Sequence, residues 1–138
     1  MPTTQQWFEV ASASLKAAKR LQKSFPASAV NRAYYSAYQI VHAAMISFRL
    51  TPPQGKVNWG HDTLRDLFRN RLIRAPTFQR HRPQLRQALA SLVALLRYRI
   101  IANYTLKETI TSQKARDLVR QADFIFNLIR TVVLKEER

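Results

Sequence analysis

Histidine, arginine and tyrosine are the side chains with which this chain could do chemistry. It has three histidines, five tyrosines and 23 lysines and arginines together, against eight carboxylates and no cysteine. The missing cysteine removes thiolate nucleophiles, disulfides and cysteine-held zinc. No glycine-rich phosphate loop, serine elbow or zinc-binding helix pattern occurs, and the carboxylates show no pairing suited to glycosidic bonds. The set that remains is sufficient in kind for metal-free RNA cleavage: an imidazole base near neutral pH, a guanidinium for the phosphorane and a positioned hydroxyl.

The stretch Leu96-Arg97-Tyr98-Arg99-Ile100-Ile101-Ala102-Asn103-Tyr104 joins an apolar helical run to an arginine pair and a terminal tyrosine. Seven residues separate Arg97 from Tyr104, so the two would project within about 20° of each other on one helix. A second constellation is Arg32, Tyr35, Gln39 and His42, spaced three or four apart as a polar and aromatic helix face. Its histidine reads first as a core-edge imidazole bonded to a neighbour and second as a catalytic group. His61 with Asp62 and Asp66 has metal-ligand character, but donors so close to a helix start are more economically capping groups. No metal or cofactor is expected.

The formal net charge is +15, which favours polyanions such as nucleic acid or an anionic surface. Its placement sharpens this. No acid lies between Glu9 and Asp62, and none between Asp66 and Glu108. Arg65, Arg69, Arg74, Arg80, Arg82, Arg86, Arg97 and Arg99 form the expected nucleic-acid-binding set, since the planar guanidinium suits phosphate oxygens. The plainer alternative is a solvated basic face.

These groups must be positioned by helices. With 138 residues, a hydrophobic fraction of 46% and only two glycines, the chain reads as one all-α domain over 1–138, a compact up-and-down bundle of four to five helices. A first helix from Thr4 to about Lys23, capped by Thr3 or Thr4, turns Ala11, Leu15 and Ala18 inward. Pro26 starts a second helix through Phe48. The loop Leu50 to Gly60 carries Trp59, which is expected to pin it to the body. A third helix opens at His61 with Leu64, Leu67, Phe68 and Leu72 inward. After the Arg74-to-Pro83 break a fourth begins near Pro83; its Leu85, Leu89, Leu92, Val93, Leu96 and Ile100 predict the most buried element. Thr105 to Thr111 is a polar connection, Ser112 to Leu134 a fifth helix, and Lys135 to Arg138 a frayed end. No signal-peptide pattern and no run long enough to span a bilayer occurs, so a cytoplasmic location with no membrane contact is expected.

The segments Asn31-Arg32-Ala33-Tyr34-Tyr35-Ser36-Ala37-Tyr38-Gln39, His61-x-x-Leu64-x-x-x-Phe68, and Arg97 through Ala102-Asn103-Tyr104 followed by Ala115 to Phe126 together resemble the HEPN superfamily of small α-helical proteins, in the same order. The resemblance implies a bundle that often dimerises and is often encoded beside a minimal nucleotidyltransferase or acts in toxin–antitoxin and defence systems. Active members are metal-independent ribonucleases whose signature is an arginine, four to six residues, then histidine, usually with tyrosine two residues on. Arg97 and Tyr104 match its ends, while Ala102 stands where the histidine belongs and Asn103 where related branches carry an acid. A literal match, Arg74 to His81, contains Pro76 and falls between helices. The expectation is therefore a homodimeric module binding RNA or nucleotide phosphates beside a nucleotidyltransferase-type partner. The alternatives are a metal-independent ribonuclease toxin, in which Arg97 and Tyr104 work with His81 or another histidine, and a protein-interaction scaffold.

Overall fold

An uncharged stretch from Ala33 to Phe48 dictates the centre of the molecule. The computed structural model describes residues 2–104 and 110–135, without the side chain of Tyr104. In it the uncharged stretch fills most of helix α2, Pro26–Ser47. Pro26 occupies the first turn, where its missing N–H is no loss. Thirteen of the 22 residues of α2 are buried, so this helix is enclosed around most of its circumference. Small side chains at Ala29, Ala33, Ser36, Ala37, Ala43 and Ala44, each fully covered, let neighbouring helices approach closely.

Helix α1, Thr4–Leu21, begins with a reciprocal capping box between Thr3 and Gln6, which satisfies two otherwise orphaned N–H groups. It folds back on α2 and buries Ala11, Leu15 and Ala18. Ser36 Oγ donates to the Ala11 carbonyl at 2.9 Å, and Gln39 meets Ser14 at 2.7 Å. With its amide nitrogen turned toward the carbonyls of Val10 and Tyr35, Gln39 donates to both at 3.1 Å. Helix α5, Ser112–Leu128, and its wider-turned continuation Ile129–Leu134 also pack on α2, burying Leu118, Ile125 and Ile129.

Helix α3, His61–Phe68, is short and runs into wide turns at Arg69–Ile73. A 3-10 segment, Pro76–His81, then leads to helix α4, Arg82–Tyr104. The expected order of burial is corrected here: α2, not the fourth helix, is the most enclosed element. One face of α4 buries Leu85, Ala88, Leu92 and Leu95, while Val93 and Ile100 are 42% and 45% exposed. They share the outer side with Arg86 and Arg97, at helical steps that keep all four within a narrow sector. Among the described residues there are five α-helices and no strand, so the all-α bundle is as expected. No described helix is long and apolar enough to cross a membrane. The expected polar connection falls largely, and the frayed end mostly, outside the described residues.

Candidate nucleic-acid interface

Two pairs of residues, each four apart, meet where α2 crosses α4. Asn31 and Tyr35 on α2 face Asn103 and Arg99 on α4. Arg99 donates to the Tyr35 hydroxyl at 3.0 Å, and the Asn103 amide to Asn31 Oδ1 at 3.1 Å. The guanidinium carbon of Arg99 also lies 5.1 Å from the ring centre of Tyr35 and 5.5 Å from that of Tyr34, within cation–π range. The second arginine of the Arg97-Tyr98-Arg99 stretch therefore turns inward, and Arg97 stays exposed on the outer face.

His61, the first residue of α3, joins this junction. The Tyr34 hydroxyl and its Nδ1 are hydrogen-bonded, and the rings of Tyr34 and Tyr38 lie 5.3 and 5.2 Å away. Burial pushes the Tyr34 phenol well above the ordinary tyrosine value, helped by neighbouring Tyr38 and opposed by Arg99. Burial also raises Tyr38, with Tyr35 adding to it. His61 is lowered, by desolvation first and then by Arg99, against the pull of Asp62. The bond to Tyr34 occupies Nδ1 and, among the described residues, leaves Nε2 without a hydrogen-bond partner. The hollow between Tyr34, Tyr38, His61 and Leu96 has about 20 Å³, space for a water at most. The hollow itself is too small for a substrate, so the junction joins helices, with His61 exposed at its edge.

His42 is completely covered. Its Nε2 accepts from the Trp59 backbone N–H at 3.0 Å, so Nδ1 carries the hydrogen and donates to the Tyr38 carbonyl at 2.9 Å. The Tyr38 hydroxyl donates to the Trp59 carbonyl. Trp59, 5% exposed, is thereby held at backbone and ring, as expected for a pinned loop. Desolvation lowers His42 to about 4, with its bond to Tyr38 opposing and His61 contributing. Both nitrogens are committed to structure. The polar face expected on the second helix is thus divided: His42 anchors the loop, Gln39 ties α1 to α2, Tyr35 holds Arg99, and Arg32 is exposed.

His81 is half-buried in a hollow with Phe78, Thr131 and Lys135. It lies just before α4, about 24 Å along that axis from Arg97 by the rise of an α-helix, so one chain does not bring the two together. Tyr104 ends α4, with its side chain outside the described residues.

The arginine set separates by partner. Arg65 pairs with Asp62 at 3.1 Å and Arg69 with Asp66 at 3.2 Å. These carboxylates hold arginines; the N-cap is Gly60, with no side-chain cap bond, which corrects the capping role expected of them. Arg74 donates to Asn70 at 2.9 Å, and Arg82 Nε to the Ile73 carbonyl at 2.7 Å. Arg80, Arg86 and Arg97 are exposed and make no ion pair among the described residues. Sequence reasoning missed Tyr34, Tyr38 and Asn31 as partners in the junction. The signal was the matched four-residue steps, Asn31 to Tyr35 and Arg99 to Asn103.

Fold and site define an all-α bundle with a tyrosine–arginine helix junction and an arginine-rich outer surface. A family model for the HEPN domain matches residues 4–132, and the chain belongs to that family. Membership supports, in general terms, a nucleotide- or RNA-related module. No curated protein and no solved structure matches it.

Proposed function

We propose that this chain is a HEPN module that binds RNA or nucleotide phosphates through its arginine-rich outer surface, as a homodimer within a toxin–antitoxin or defence system that includes a nucleotidyltransferase-type partner. The observation that carries the binding reading is the exposure of Arg74, Arg80, Arg86 and Arg97 in a segment without acids. The histidines favour binding over cleavage: His42 has no free nitrogen, His61 has its Nδ1 engaged by Tyr34, and His81 is remote from Arg97 and Arg99. The partner, the system and the homodimer are drawn from the family resemblance.

The test is titration of a generic single-stranded RNA at low salt and again as salt is raised. The expected result is binding that weakens with a log–log slope of about −0.7 per phosphate contact. No detectable binding at low salt defeats the reading. A specific observation favours one second reading, a metal-independent ribonuclease: Arg99 and His61 share the junction. Cleavage in excess chelator that is lost in both Arg99→Ala and His61→Ala would replace the binding reading by this one.

A further inference from the structure

Three arginines from successive segments converge on one open groove. Arg69 lies at the start of the wide turns that follow α3, Arg74 just beyond them and Arg86 in the early turns of α4, with Ile73, Leu89 and Ala90 between them. The groove holds about 420 Å³, the scale of a small-ligand cleft. Its lining contains no acid. Asp66, outside that lining, pairs with Arg69 across an exposed helix turn, a weak and salt-screened contact that a phosphate can displace.

The local backbone builds this convergence. The Arg74 N–H bonds to the Arg69 carbonyl at 3.0 Å, five residues back, so one wide turn separates the two arginines and brings their side chains to one side. Such wide turns recur at functional sites. The bond from Arg82 Nε to the Ile73 carbonyl clips the end of these turns to the start of α4, fixing Arg86 opposite them. Along α4, Arg97 follows Arg86 by eleven residues, about 16 Å farther along the axis and within about 20° of the same direction.

We infer that this groove seats one nucleotide unit of single-stranded RNA, its phosphate held by Arg74 and Arg86 and its strand continuing along α4 to Arg97. The inference rests on the RNA-binding reading and gives it a place. Guanidinium forks take phosphate oxygens in pairs, and their planes, with the edges of Leu89 and Ala90, give an unpaired base something to lie on. A duplex is recognised over a much longer surface across successive grooves, which this single cleft does not provide.

The experiment follows the anisotropy of a short fluorescein-labelled oligouridylate bound to the full chain. Arg74→Gln with Arg86→Gln is compared with Arg116→Gln and Arg120→Gln, exposed positions on α5 that remove the same charge. The groove variant weakens binding about ten-fold or more and reduces the log–log salt slope by about 1.4, while the α5 variant changes affinity by less than about three-fold. Circular dichroism melting confirms that each variant is folded, and Arg86→Glu alone repeats the test with one surface change. Equal losses in both double variants overturn the groove and leave RNA binding standing. A wild-type protein that binds no RNA overturns both. Poly-glutamate that competes as well as RNA overturns the ligand class.

Discussion

The bonds around His42 require a neutral imidazole, and this gives the fold a pH dependence. An unfolded histidine takes up its proton near pH 6.5, whereas the folded His42 resists it until about 4. Between those values the unfolded chain binds more protons, so stability is complete above pH 6.5 and falls as the pH drops toward 4. The full effect is about 3 kcal/mol, and His61, lowered in the same direction, adds to it. Urea melts at pH 7.5 and pH 5 should show the loss, and His42→Gln should lower stability at pH 7.5 while flattening the dependence. The same slope in that variant would remove His42 as its source. A second comparison separates the neighbouring arginines. Arg99→Met forfeits the Tyr35 bond and the ring contacts, costing about 1–2 kcal/mol, while Arg97→Met stays within about 0.5 kcal/mol. The sequence placed function at this stretch but favoured Arg97, because the pattern there was matched by position along one helix. Which arginine turns inward depends on where α2 lies, and the spacing of α4 alone does not contain that.

At the scale of elements, the interior of α2 is set by alanine. Ala37 is fully covered and leaves no room for a longer side chain beside its neighbours. Ala37→Leu should destabilise the protein by about 1–3 kcal/mol through overpacking, seen as a lower melting temperature. Val93→Gln, on the outer face of α4, should change stability by less than about 0.5 kcal/mol. Helix existence and order were legible in the chain: Pro26, the Leu50-to-Gly60 loop and the Arg74-to-Pro83 break fall where the elements change. The rank of burial was not read correctly, because leucine-rich α4 has the stronger hydrophobic run. What marks α2 as the centre is its freedom from charge from Ala33 to Phe48 together with small residues on several sides, a signal about how many neighbours a helix can accept. Leu64 and Phe68 on α3 show the simpler case, where helical spacing alone predicted buried positions.

The whole molecule carries a charge of +15, and self-repulsion at that level weakens the compact state unless counter-charge is supplied. Salt supplies it diffusely. A bound RNA strand would supply it at fixed positions on the arginine face, and a ligand that binds only the folded state adds stability by mass action. At a free concentration about 100-fold above its dissociation constant the gain is about 2.7 kcal/mol, which for a chain of this length raises the melting temperature by about 8 °C. Single-stranded RNA at low ionic strength should therefore raise the melting temperature by several degrees. Raising salt should shrink this increment as phosphate contacts weaken, even while salt alone stabilises the free protein. The two melting temperatures, with and without RNA, must converge at high salt. A melting temperature that rises equally with salt whether RNA is present or absent would mean that the charge is only a solvated surface and that the arginine face has no polyanion to hold.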